Sequence, residues 1–127
     1  MKSFSVLITV MALMFVGGVQ AGTPTCHSGS DVYCQYIGKV ERIYVNKDNL
    51  ILLYFDTPVA LNIPESAGLS AVYDFAAAFA ADENPEFANM FYSTALAAQA
   101  SGRDVTIQMR GLQGGYLKID RIWLSAP

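Results

Sequence analysis

A small, mainly β domain with one helix is the fold class this sequence predicts, and three observations point to it. Short apolar runs alternate with polar residues at period two, most cleanly from Asp104 to Arg110, where Val105, Ile107 and Met109 share one face. One segment, Asn84 to Gly102, carries both the start and the stop signals of a helix. Strand signals precede that segment and a glycine-rich hairpin follows it, an order that suits a Greek-key barrel.

Residues 1–21 read as a secretory signal peptide: Lys2 precedes an apolar run from Phe4 to Val16, and small Gly17, Gly18 and Ala21 follow. The run is shorter than the roughly 20 residues that cross a bilayer. Cleavage is expected before Gly22, leaving an exported chain, secreted or periplasmic, with no membrane span. Of 127 residues, 127 less 21 leaves 106, a single domain over 22–127. Without Lys2, seven Lys/Arg stand against eleven Asp/Glu, a net charge of −4 with no basic cluster. Nucleic acid is disfavoured as a partner, because neutralising phosphates takes clustered cations.

Export places Cys26 and Cys34, in "CHSGSDVYC", where pairing is the default. A bridge closing so short a loop is worth about 2–3 kcal/mol by loop entropy. His27 with two thiolates could instead hold a metal, or the thiols could be redox-active, but C-x-x-C spacing and a fourth ligand are both missing. Residues before Ser30 read as polar and turn-rich. The first strand signal runs from Val32 to Val45 with Gly38 as a bend, and Asn46 to Asn49 is a turn. The continuous apolar run Leu50 to Phe55 predicts a strand covered on both faces. Val59, Leu61 and Ile63 alternate as a further strand that Pro64 ends.

Residues 66–81 fit two periods. Leu69, Val72, Tyr73, Ala76 and Phe79 suit a helix, whereas Tyr73, Phe75, Ala77 and Phe79 suit one strand face, and the strand completes a sheet. Asn84 then supplies an N-cap side chain, Pro85 a first-turn proline, Glu86 an acid at the positive end, and Gly102 the C-terminal stop. With Phe87, Met90, Phe91, Tyr92, Leu96 and five alanines between them, this helix is expected to be buried on more than one side. Gly111 to Gly115 reads as a hairpin loop. In "YLKIDRIWL" the apolar phase shifts between Ile119 and Ile122, which predicts a bulge near Asp120 and Arg121. Strands, helix and hairpin in this order match a small OB-like Greek-key barrel.

The chemistry of catalysis is missing. His27 is the only histidine and sits beside the cysteines, so Ser-His-Asp and Cys-His arrangements lack support. No H-E-x-x-H, phosphate-cradling loop or dinucleotide fingerprint occurs, and no cofactor or metal is expected. Asp82 and Glu83 read as charges at the helix N-terminus. The seven tyrosines, Tyr33, Tyr36, Tyr44, Tyr54, Tyr73, Tyr92 and Tyr116, with Trp123, read either as cross-strand packing or as a ligand platform or subunit interface.

The stretches "NPEFANMFYSTALAAQASG", "SGRDVTIQM" and "YLKIDRIWL" resemble the B subunits of bacterial A-B toxins, particularly of the subtilase cytotoxin type, and related small exported bacterial proteins of unknown role. The resemblance implies five barrels in a ring with helices lining its centre, an outer face that binds surface glycans, and a toxic activity carried by a separate catalytic subunit. On that footing the helix from Phe87 to Ala100 is a subunit contact in a homo-pentamer, with Asn89, Ser93, Ala97 and Ala100 as its thin polar and small-residue stripe. The family's sugar-contacting serine precedes the first strand, where this chain has Ser28 and Ser30; Tyr33 and Tyr36 beside them complete the candidate ligand-binding set. The expected function is thus an exported, non-catalytic module that binds a glycan or a protein and self-associates. A monomeric periplasmic inhibitor or envelope factor is the alternative, and a small hydrolase dependent on His27 stands last.

Overall fold

The structure, a computed structural model, describes residues 22–126; the signal-peptide assignment lies outside them. Seven strands form one sheet: β1 (Gly22–His27), β2 (Tyr33–Gly38), β3 (Ile43–Val45), β4 (Leu50–Tyr54), β5 (Ala76–Ala80), β6 (Val105–Gln113) and β7 (Tyr116–Leu124). Two helices, α1 (Asn62–Ser66) and α2 (Pro85–Ser101), complete the elements among the described residues. The sheet order is β1-β2-β6-β7-β5-β4-β3, antiparallel throughout except where β5 runs parallel to β7.

Chain connectivity forces this sheet to curl. In sheet order β2 is second and β3 seventh, yet residues 39–42 alone join them. Five strand spacings in a flat sheet come to about 24 Å, whereas the five Cα steps from Gly38 to Ile43 reach at most about 18 Å. The two ends therefore meet: just past β4, Asp56 N–H donates to the Tyr36 hydroxyl of β2 (3.1 Å), and its carboxylate accepts from Lys39 N–H (3.3 Å). The ladder is not closed into a barrel, because β1 and β3 remain its edges.

Inside the curl lies the main core. β2 contributes Cys34 and Tyr36, β4 Ile51 and Leu53, β5 Ala77 and Phe79, β6 Val105, Ile107 and Met109, and β7 Leu117 and Ile119. α2 plugs it with Ala88, Phe91, Ala95 and Ala98. The helix is fixed at both ends by its own sequence. The Asn84 side chain accepts from Phe87 N–H at 3.0 Å, and Gly102 turns into the left-handed region at φ 66°. Lys39, in the β2–β3 joint, donates to the Gly102 carbonyl at 2.5 Å and pairs with Asp104 at 2.7 Å, so the same joint that curls the sheet anchors the end of α2.

Several expectations hold and several change. Leu50 to Tyr54 is covered on both faces, since Ile51 and Leu53 enter the main core while Leu52 joins Ala76 and Ala78 in a smaller outer cluster. The bulge in β7 is present: Gln108 pairs with Arg121 but Met109 with Ile119, leaving Asp120 as the extra residue. The hairpin turn is tighter than Gly111 to Gly115, because β6 continues to Gln113 and only Gly114 and Gly115 turn, both at positive φ (57° and 88°). Of residues 66–81, Ala76–Ala80 form a strand despite their alanines, paired to β4 on one side and to β7 on the other.

The predicted strand through Val59, Leu61 and Ile63 is instead a turn leading into α1. Pro64 sits in its first helical turn, where the missing N–H costs nothing, and Ser66 Oγ closes back on the Asn62 carbonyl at 2.6 Å. The polar segment before Ser30 is a strand, β1, because Cys26 lies directly opposite Cys34 and is bonded to it, with Cα atoms 3.9 Å apart. Finally α2 is buried along one face only. Met90, Tyr92 and Leu96 are exposed at 62%, 40% and 41%, so the described residues cover one side of a helix whose only charge is Glu86 in its first turn.

Candidate functional site

The outer surface of the curl is divided between two groups of side chains. On β2, β6 and β7, the outward residues lie in rows across the strands: Ile37–Thr106–Trp123, Gln35–Gln108–Arg121, and Tyr33 beside Arg110. Arg110 organises the last row. Its guanidinium grips both Asp31 oxygens (3.3 and 2.9 Å), reaches Gln108 and Asp120 (3.2 Å each), and lies 4.9 Å from the centroid of the Tyr33 ring, which His27 stacks at 4.5 Å. The hydrogen bond from Arg110, reinforced by its charge, holds the Asp31 carboxyl below the usual carboxylate range.

Of the sequence-predicted ligand residues, Ser28 and Ser30 are exposed in the loop that the disulfide closes, and Tyr33 is half-buried at its base. Tyr36 points the other way. Its ring is fully buried and its hydroxyl is used within the fold, donating to the Lys39 carbonyl at 2.9 Å, so it does not join the other three. The polar capacity around Tyr33 is likewise consumed internally by Arg110. That row reads as a latch tying the disulfide loop to β6. Because the Asp31 carboxyl is depressed, the latch is complete at pH 7 and is lost as pH falls through the folded value, below the ordinary carboxylate pKa of about 3.9. Asp31→Asn is expected to raise amide exchange of residues 28–32 at pH 7 to the level that the wild type reaches only in acid; an unchanged exchange rate would remove the latch from the account.

The second group covers β4, β5 and the β6–β7 turn. Tyr73 and Tyr116 stack at 4.4 Å, Phe75 meets Tyr116 edge-on at 5.8 Å, and Tyr54 lies 5.5 Å from Phe75. Beneath these rings are Leu52, Ala76 and Ala78, whose small side chains let the rings lie close to the sheet. Tyr116 is pushed above the ordinary tyrosine range by burial among them and by the neighbouring Tyr73, so it remains a neutral phenol through physiological pH. The row ends at a pocket of about 490 Å³ lined by Glu41, Arg42, Tyr54, Phe55 and Phe75. Arg42 lies over the Tyr54 ring at 5.0 Å, a cation–π contact that orients its guanidinium at the pocket edge.

Known protein families, curated proteins and solved structures offer no match to this chain. The site therefore stands on its geometry. Sequence reading named Tyr54, Tyr73 and Tyr116 among its aromatics but not that they meet; it set Tyr73 and Phe75 on one strand face with Ala77 and Phe79, whereas Phe75 packs on the outer cluster and Ala77 and Phe79 enter the main core, and it did not single out Glu41 or Arg42. Among the described residues no group of histidine, cysteine or carboxylate side chains has the arrangement of a metal site, and no helix is long and apolar enough to cross a membrane.

The predicted interface residues Asn89, Ser93, Ala97 and Ala100 are all exposed on α2. Met90, Tyr92 and Leu96 extend that surface, and a second hollow of about 270 Å³ opens between Asn89 and Tyr92 of α2 and Val45 of edge strand β3.

Proposed function

We propose that this chain is an exported, non-catalytic binding module of OB-like architecture that takes a saccharide on its aromatic face and self-associates through the outer side of α2. The single observation that carries the reading is the ring row Tyr116–Tyr73–Phe75–Tyr54 ending in a pocket with one fixed cation and one carboxylate. Aromatic rings offer flat apolar faces for stacking, and a few placed polar groups set orientation. A concave pocket of about 490 Å³ is of small-ligand size; a protein partner needs a broad interface of roughly 800 Å² per side.

Strand pairing supports the OB-like assignment. The segment 33–45 pairs with β6 through its first part and with β4 through its second, β4 pairs with β5, β5 runs parallel to β7, and α2 separates β5 from β6. In that architecture the second and third strands of the barrel form the usual ligand face; here those are β4, which ends on Tyr54, and β5, which Tyr73 and Phe75 lead into, while Tyr116 opens β7 beside it. Self-association, a pentamer on the toxin analogy, would give the exposed Met90, Tyr92 and Leu96 an apolar partner. A separately encoded catalytic subunit is the further partner that the toxin-like reading implies.

A glycan array with the chain and two variants tests the reading. Tyr54→Ala is expected to abolish saccharide binding, while Trp123→Ala, on the opposite outer face, leaves it intact. An array blank with the unmodified protein, or equal loss from both variants, would sink it. Sedimentation over a range of concentrations tests the second half, and a monomer at every concentration would favour the envelope-factor alternative.

A further inference from the structure

We infer that the open edge of β3, with the flank of α2 beside it, is a docking slot for an extended apolar segment of another protein, one that carries basic residues. The edge is read from the ladder. Tyr54 N–H donates to the Arg42 carbonyl and Asn46 N–H to the Leu50 carbonyl, so in the alternating pattern of an antiparallel pair Arg42, Tyr44 and Asn46 turn their backbone groups toward β4. The N–H and C=O groups of Ile43 and Val45 then point the other way, to the side of β3 where no strand pairs. Such a row is a template for one more strand. Edges are usually blunted by a proline, a lysine or a bulge; β3 is Ile-Tyr-Val with an unbroken register, and Val45 is 53% exposed.

α2 forms the second wall. The Gln99 side chain donates to the Glu41 carbonyl at 3.1 Å, just before β3, while Asn89 and Tyr92 share with Val45, Ile51, Ala81 and Ala88 the hollow of about 270 Å³. The helix thus runs alongside the strand, with Gln99 at the start of β3 and Tyr92 at its end. Alternate side chains of a paired guest strand point to one face, so one large apolar side chain would enter the hollow.

Charge decides the kind of guest. Asp82 follows Ala81 at the hollow, Glu86 lies one turn of α2 before Asn89, and Asp48 sits in the β3–β4 turn. Lys47 is engaged by Asp48 and Lys118 by Glu83, whereas Asp82 and Glu86 have no cationic partner among the described residues. Two unbalanced carboxylates therefore stand at the Val45 end of the slot, and they favour Lys or Arg beside the apolar residues of the guest. A second copy of this chain supplies no such cluster, because each Lys or Arg among the described residues except Arg42 already has an anionic or carbonyl partner. The slot uses none of the aromatic row, so its test and that of the saccharide reading fail separately.

Amide exchange of the mature chain, followed by two-dimensional NMR, tests the slot with three synthetic peptides. The first alternates valine and threonine around a central leucine with a lysine at each end, the second ends in glutamates instead, and the third is the lysine form N-methylated at two successive central amides, which blocks both of its edges. In the protein alone the Ile43 and Val45 amides are expected to exchange fast and the Tyr44 amide slowly. The lysine-ended peptide should slow Ile43 and Val45 to the rate of Tyr44, and at low salt should bind about tenfold more tightly than the glutamate-ended one. The N-methylated form should leave both amides fast. Asp82→Asn with Glu86→Gln should remove the preference for lysine ends. Val45→Pro should abolish binding yet keep the fold, since the N–H it deletes faces the open side of an edge strand; should that variant not fold, the exchange rates of the unmodified chain decide alone. Equal binding of the two charged peptides, or Ile43 and Val45 amides unmoved by the lysine-ended one, would overturn the inference. Amides already slow in the protein alone would overturn it too, and protection that rises with protein concentration would assign the edge to a second copy.

Discussion

Phe91→Ala is expected to lower the unfolding free energy by about 3–5 kcal/mol, the cost of removing a buried aromatic and leaving its cavity. Phe91 is the centre of the α2 plug: it is 0% exposed, and Phe87 bridges it to Phe79 of β5, with ring centroids 6.2 Å and 4.9 Å apart. No neighbour is free to collapse into the space, because Ala95 and Ala98 are too small and the strands opposite are fixed by their ladders. In a domain of this size such a loss corresponds to a fall in midpoint of roughly 15–30 °C. Thermal unfolding with the disulfide intact measures it. Met90→Ala, one residue earlier on the outer face, gives the contrast, since a 62% exposed side chain should cost within about 0.5 kcal/mol in the monomer. A Phe91→Ala midpoint within a few degrees of the wild type would show that α2 does not seal the curl.

The same helix marks how far local chemistry can be read. Both ends of α2 are legible because the groups that fix them are neighbours in sequence: the Asn84 side chain bonds a donor three residues on, and Gly102 supplies its own left-handed turn. The bulge at Asp120 is legible for a related reason, since an extra residue must shift the apolar phase of its own strand. By contrast β1 has no alternation in "GTPTCH"; its strand form comes from β2, to which it is laddered and bonded through Cys26 and Cys34. α1 misleads because Val59, Leu61 and Ile63 happen to fall at period two around a proline that a first helical turn also accepts. Which side of α2 faces the core is a property of the sheet, and composition alone made both sides look equally fit for burial.

The candidate site is less legible than the fold. Tyr54, Phe75 and Tyr116 are separated by tens of residues, and only the β4–β5 and β5–β7 pairings lay their side chains in one row. Arg42 and Glu41 carry no motif. They become notable when every other Lys or Arg among the described residues is found to have a partner, which is knowledge of contacts and not of spacing. Tyr33 and Tyr36 show the opposite failure: near neighbours in sequence, they point to opposite faces of a strand's environment, one into the Arg110 latch and the other into the core.

Gly38→Ala is the substitution that should expose how the curl is held, with an expected loss of about 2–3 kcal/mol, the usual cost of overpacking. The reason is space and not backbone angle. A Cβ on Gly38 would lie 2.5 Å from the Tyr36 hydroxyl oxygen, 2.7 Å from Tyr36 Cζ and 2.7 Å from Asp56 Oδ2. None of these atoms is the loose end of a flexible chain. The Tyr36 hydroxyl donates to the Lys39 carbonyl and accepts from Asp56 N–H, while Asp56 Oδ2 accepts from Lys39 N–H at 3.3 Å. Burial pushes the Tyr36 phenol well above its ordinary range, so it stays protonated and keeps both bonds at any pH the protein meets. Displacing it opens the joint where β2 passes to β3, and that joint also carries Lys39 to the end of α2. Gly38→Ala should therefore raise amide exchange at residues 98–104, distant in sequence from the change, as well as lower the midpoint. Tyr36→Phe alone should cost about 1–3 kcal/mol by leaving its partners unsatisfied. The double variant should cost less than the two added together, because removing the hydroxyl removes the nearest clash while Cζ still limits the relief. Strict additivity, or a Gly38→Ala variant with wild-type stability, would mean that the two ends of the sheet are not held together through Tyr36.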